Sequence, residues 1–156
     1  MSDTPERLTW KAYALKLAIV ASERSEDPFM KVGACLLRHD NSVAGLGYNG
    51  APSGVKLNWQ KRDHRRVRVV HAEVNALRYT EPGECYLLAC THIPCNDCMK
   101  TIAAYGIKEV VFNDIYVRDM SSLDIAKEFD IKLFATNNVG SQVSFQHNGK
   151  YEHIDF

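Results

Sequence analysis

At 156 residues and 46% apolar, the chain is long enough for one domain with a sizeable core and too short for two. No apolar run reaches the ~18 residues of a membrane span, and the opening "MSDTPERLTW" lacks the pattern of a secretory signal. Nineteen basic side chains balance nineteen acidic ones, which excludes net charge as a basis for general nucleic-acid binding.

The first element is a helix over about 9–25, with Trp10, Ala14, Leu17, Ala18 and Ala21 at helical spacing and Asp27-Pro28 as its stop. Segments 31–38 and 42–48 read as strands around the turn "HDN", a hairpin. "NGAPSG" (49–54) is a tight loop, and a polar, basic connection leads to a helix opening at His71. Residues 84–90 form a central strand, and Pro94 starts a helix that runs to about Tyr105 and stops at Gly106. A strand at 108–112, a helix at 121–129 and a strand at 131–135 follow. The end, with Asn148-Gly149 between alternating segments, reads as a terminal hairpin. Later strands alternate with helices, so they should run parallel. The expected architecture is a single three-layer α/β/α domain over 1–156 with a five-stranded mixed sheet.

The five cysteines are Cys35, Cys85, Cys90, Cys95 and Cys98. An odd count without a secretory signal argues for reduced thiols in a cytoplasmic protein and makes metal binding the leading use of the close pair. Cys95 and Cys98, three apart in the first turn of a helix, put both sulfurs on one side, where the helix dipole favours thiolates. His71 opens another helix with no Ser, Thr, Asp or Asn before it as a cap, and Glu73 stands two residues on. One histidine and two thiolates make three ligands for zinc, with a fourth position left for water, as in catalytic zinc sites. Glu73 is then the proton carrier for a hydrolytic deamination. A redox pair or a closed structural zinc are the alternatives for Cys-x-x-Cys. Closure would need Cys85 or Cys90, which five-residue spacing on a strand turns to opposite faces.

His-x-Glu followed by Pro-Cys-x-x-Cys is the signature of zinc nucleobase deaminases. The chain resembles the cytidine deaminase superfamily over residues 8 to 135, and within it the deoxycytidylate deaminases most closely. The likeness rests on "SEDPFMKVGACLL", "GYNGAPSG", "HAEVNAL" and "PCNDCMKTIAAYGIKEVVF", and on Tyr116. It implies zinc held by His71, Cys95 and Cys98, with Glu73 as proton shuttle. It also implies Asn49 on the sugar hydroxyl, the backbone of Ala72 on the base and Tyr116 lining the nucleotide pocket. The implied reaction is dCMP to dUMP, supplying thymidylate synthesis. Deamination of adenosine within a tRNA, or of another cytosine nucleotide such as dCTP, is the rival.

Arg24 and Lys31 are candidate phosphate ligands, and "KRDHRRVR" (61–68) is either solvated surface or a phosphate contact to substrate or effector. The resemblance further implies a homo-oligomer, hexamer or dimer, activated by dCTP with magnesium and inhibited by dTTP. The effector would sit at the glycine loop, on Gly50 and Gly54 with Arg65 and Arg66 and the neighbouring Lys61 and Arg62.

Overall fold

The computed structural model describes residues 6–115, 121–136 and 150–156. Helix α1 spans Trp10–Ser22, and the Thr9 side chain caps it by accepting from the Ala12 N–H at 3.2 Å. It ends three residues earlier than its periodicity suggests. Its buried stripe is Ala12, Ala14, Leu15 and Ala18, while Trp10 is half exposed. Strands β1 (Gly33–Arg38) and β2 (Val43–Tyr48) form the expected antiparallel hairpin, closed by Asn41 at φ 68°. The basic connection contains a short helix, α2 (Arg62–Arg66), that hydropathy alone does not signal because none of its residues is buried.

Helix α3 (Ala72–Leu77) leads to β3 (Cys85–His92), and α4 (Asn96–Ala104) leads to β4 (Glu109–Asp114). Gly106, at φ 78°, ends α4: its N–H and that of Ile107 turn back to Ala103 and Ile102. Helix α5 (Ser121–Glu128) and β5 (Lys132–Thr136) complete the alternation, and β6 (Glu152–Ile154) is the last strand.

The sheet has six strands rather than five, in the order β2-β1-β3-β4-β5-β6. It is mixed as expected: β1 is antiparallel to β2 and β3, while β3, β4, β5 and β6 run parallel. The sixth strand is the chain's end laid along β5. The Asn148-Gly149 turn of the expected terminal hairpin lies outside the described residues.

Alternation along the strands divides the core into two layers. Cys35, Leu37, Leu87, Ala89 and Val111 face α1. Leu36, Leu88, Cys90, Val110 and Phe112 face α3, α4 and α5. This is the three-layer sandwich read from the sequence. A register shift at Leu37/Arg38 breaks the alternation of β3, so Cys85 joins the same layer as Cys90. The five-residue spacing had implied opposite faces.

Two glycines on β2 set the position of α3. A Cβ on Gly47 would lie 2.4 Å from the Ala76 nitrogen and 2.5 Å from the Ala72 oxygen, and one on Gly45 would lie 2.7 Å from the Ala76 oxygen. Only a bare backbone on this face lets α3 lie flush against the strand. That contact places the start of α3, and with it His71 and Glu73, beside the C-terminal end of β3. The crevice at the C-terminal ends of parallel strands is where open α/β sheets form their sites.

Candidate active site

His71 and Cys95 occupy equivalent places: each is the extended residue just before a helix, with φ −69° and ψ 151° for His71 and φ −69° and ψ 173° for Cys95. Neither side chain caps its own helix. Pro94 therefore stands outside α4 rather than at its first position. Cys98, one turn into α4, is buried, and the three donor atoms of His71, Cys95 and Cys98 lie within 4.8 Å of one another. Among the described residues no other group of three or more His, Cys, Asp or Glu side chains gathers this way. Cys85 and Cys90 stay in the core, and none of the five cysteines is in a disulfide.

The donor set fits zinc. His71 Nδ1 is 3.3 Å from Cys98 Sγ and 3.6 Å from Cys95 Sγ. Nitrogen and sulfur ligands at ordinary zinc distances on a tetrahedron stand about 3.6 Å apart. Without a cation the three groups compete for protons. The Cys98 thiol beside Cys95 is the main reason that Cys95 is drawn down to about 4, with His71 acting in the same direction. Cys98 in turn is pushed above the ordinary thiol range, first by that hydrogen bond and then by burial. His71 is raised by its hydrogen bond with Cys95. A divalent cation that displaces these protons resolves the competition.

Glu73 lies in the first turn of α3 and is 4% exposed. The Cys90 thiol, from the centre of β3, donates to Glu73 Oε1 at 3.4 Å. Val74 is exposed, and Glu73 takes the inward position with Ala72, Ala76 and Leu77. A carboxylate is thus held inside the protein next to the donor triad.

Glu73, His71 and Cys95 line a cavity of about 350 Å³. Of the residues expected to hold substrate, Asn49 and Ala72 line it. Asn49 is also structural. Its Oδ1 accepts from the Val32 N–H at 2.9 Å, and its Nδ2 donates to the Met30 carbonyl at 2.9 Å and to Asp27 Oδ2 at 3.2 Å. Both amide donors are therefore spent on the protein, and only Oδ1 has a lone pair left for a ligand.

Arg24 and Lys31 are not brought to the cavity. Arg24 is exposed past the end of α1, and Lys31 donates its ammonium to the Ser25 carbonyl. Tyr116 lies outside the described residues. Arg65 and Arg66, expected with Gly50 and Gly54 at an effector loop, line the cavity, and the two glycines do not.

Of the polar lining residues, sequence reasoning missed Asp27 and His92. Asp27 had been read only as a helix stop. Its Oδ1 accepts from the Phe29 and Met30 N–H groups, which folds 27–30 into a turn against the cavity. Arg62, expected beside Arg65 and Arg66 at the effector loop, joins the lining from α2. His92, at the end of β3, was missed because nothing in "CTHIP" marks it; burial lowers its pKa.

Residues 8–114 match the family described as the cytidine and deoxycytidylate deaminase zinc-binding region. The chain belongs to that family. It is 38% identical over 116 residues to the deoxycytidylate deaminase of Homo sapiens, covering 67% of this chain and 65% of that protein. It thus spans slightly less than two thirds of the length of this relative. The crystal structure of dCMP deaminase from the cyanophage S-TIM5, in complex with dCMP and dUMP, superposes with a TM-score of 0.69 and 34% identity. The match covers 78% of this chain and 92% of the phage protein. His71, Glu73, Cys95 and Cys98 all fall within the family's zinc-binding region. No helix among the described residues is long and apolar enough to cross a membrane.

Proposed function

We propose that the chain deaminates dCMP hydrolytically to dUMP. The observation that carries the reading is the burial of Glu73 beside the His71, Cys95 and Cys98 donors at one cavity. Those three side chains would hold zinc, which when bound acts as a Lewis acid that lowers the pKa of water towards ~7. Glu73 would take one proton from the attacking water and pass it to the neighbouring ring nitrogen. It would then carry the second proton to the departing amine. The water oxygen bonds to the amine-bearing ring carbon, the C–N bond breaks, and ammonia leaves a carbonyl behind.

Burial of Glu73 serves this chemistry, because a carboxylate shielded from bulk water exchanges protons with the substrate rather than with solvent. Asn49 and the Ala72 backbone would orient the sugar and base. The deaminases of similar sequence and structure support dCMP as the substrate. A homo-oligomer belongs to the same reading. Support comes from the exposed apolar side chains Leu46 and Tyr48 on the edge strand β2 and Val74 and Tyr79 on and after α3.

The test is an ammonia-release panel of dCMP, dCTP, CMP, deoxycytidine and a tRNA anticodon stem, run on protein whose metal has been measured. One zinc per chain and preferential turnover of dCMP are expected. Preferential turnover of any other member of the panel overturns the assignment.

A further inference from the structure

We propose that the Cys90 thiol is a positioning residue for the proton carrier: its hydrogen bond to Oε1 fixes the carboxylate plane of Glu73 and leaves Oε2 to move protons. The inference rests on the deaminase reading above and deepens it. Cys90 lies outside the His-x-Glu and Pro-Cys-x-x-Cys motifs, so nothing in the zinc signature assigns it a role.

The two partners come from different layers of the fold. Cys90 is fully buried on a central strand, paired with Ala34 of β1 on one side and Phe112 of β4 on the other. Glu73 reaches it from the first turn of α3, a helix of six residues. Strands paired on both edges open last, whereas short helices fray. The contact therefore ties the carboxylate to the firmer element. Torsion alone does not hold it, because the last rotation of a glutamate side chain is broad.

Among the described residues, Glu73 meets hydrogen-bonding side chains only at Cys90 and Cys98. Cys98 belongs to the donor triad, and as a zinc ligand it is a thiolate with no proton to give. Cys90 keeps its proton: burial first, and then the charge of Glu73, push its pKa well above the ordinary thiol range. It is thus the donor that persists once the metal site fills. A buried cysteine is commonly a small apolar filler. That role does not explain a sulfur 3.4 Å from the oxygen of a buried carboxylate. A thiol also suits the task. It is a weak donor, so it orients the carboxylate without holding it in the charged form, as an arginine or lysine there would.

The experiment is infrared spectroscopy of the S–H stretch in zinc-loaded protein, with Cys90→Val as the blank that isolates the Cys90 band. In Glu73→Gln, blanked with the Glu73→Gln/Cys90→Val double variant, the band should move to higher wavenumber. A neutral amide draws an S–H more weakly than a carboxylate does. A band that stays in place overturns the proposal. Kinetics on the preferred member of the ammonia-release panel then separate positioning from packing. Cys90→Val should lower kcat about five- to ten-fold with KM little changed, and Cys90→Ser, which keeps a donor, should recover most of that loss. Cys90→Ala removes the donor without added bulk and should match Cys90→Val, which keeps the test valid if Cys90→Val overpacks the site. Equal losses in all three Cys90 variants, a loss carried by KM, or parental kcat throughout would each overturn the positioning role. A protein that shows the infrared shift yet releases ammonia from no panel member would instead refute the proposed reaction and leave the orientation of Glu73 standing.

Discussion

Gly47→Ala is the sharpest test of how the fold builds the site. The added Cβ would meet the Ala76 nitrogen at 2.4 Å and the Ala72 oxygen at 2.5 Å, where ordinary contact begins near 3.4 Å and real Cβ atoms essentially never come within 3.0 Å. Both neighbours are helix backbone, so no side chain can rotate away. Helix α3 must move off β2 by about 0.6–1 Å. Overpacking of this kind costs about 1–3 kcal/mol, which for a chain of this length lowers the melting temperature by roughly 2–12 °C. Glu73 lies one residue beyond Ala72, whose oxygen takes one of the clashes, so the proton carrier moves with the helix. A misplacement near 1 Å can cost about 10²-fold in rate. The assay pairs a thermal melt with kcat/KM for dCMP, and Gly50→Ala is the comparison because a Cβ there meets nothing within 4 Å. The Gly50 variant should melt within about 2 °C of the parent. A Gly47→Ala protein with parental melting and parental turnover would show that α3 is not positioned by this contact.

Glu73→Gln keeps shape but cannot carry protons, so turnover should drop by about 10²-fold or more with zinc content unchanged; near-parental turnover in a zinc-replete variant would assign the proton to another residue. Cys90→Val removes the thiol that donates to Glu73 Oε1 at 3.4 Å and should lower kcat about five- to ten-fold with little change in KM. Cys90→Ser, which keeps a donor there, should recover most of that loss, and equal kcat in all three proteins would dismiss the contact. Asn49→Ala strips partners from Val32, Met30 and Asp27. It should therefore destabilise the fold by about 2–3 kcal/mol in urea titrations as well as weaken substrate use. A variant with parental stability would restrict Asn49 to the ligand.

Much of this protein is local, and local features were legible in the sequence. Cys-x-x-Cys at a helix start needs only one turn of backbone to bring its sulfurs together, and Gly106 ends α4 through its own conformational freedom. Strands and helices alternate because hydropathy does, so the three layers and the parallel run β3-β4-β5 follow from the order of elements. The pairing of His71 with the cysteines was inferred from chemistry and resemblance, and the fold closes it across 24 and 27 residues.

What only tertiary structure decided has a common cause: it depends on which distant backbones touch. Gly45 and Gly47 look like any small residues until α3 lies on them. The register shift in β3 decides that Cys85 shares a layer with Cys90, and no spacing rule carries that. Arg24 and Lys31 had the right charge but do not line the cavity, while Arg62, Arg65 and Arg66 on α2 do. Charge is written in the chain, but the direction in which it points is fixed by packing.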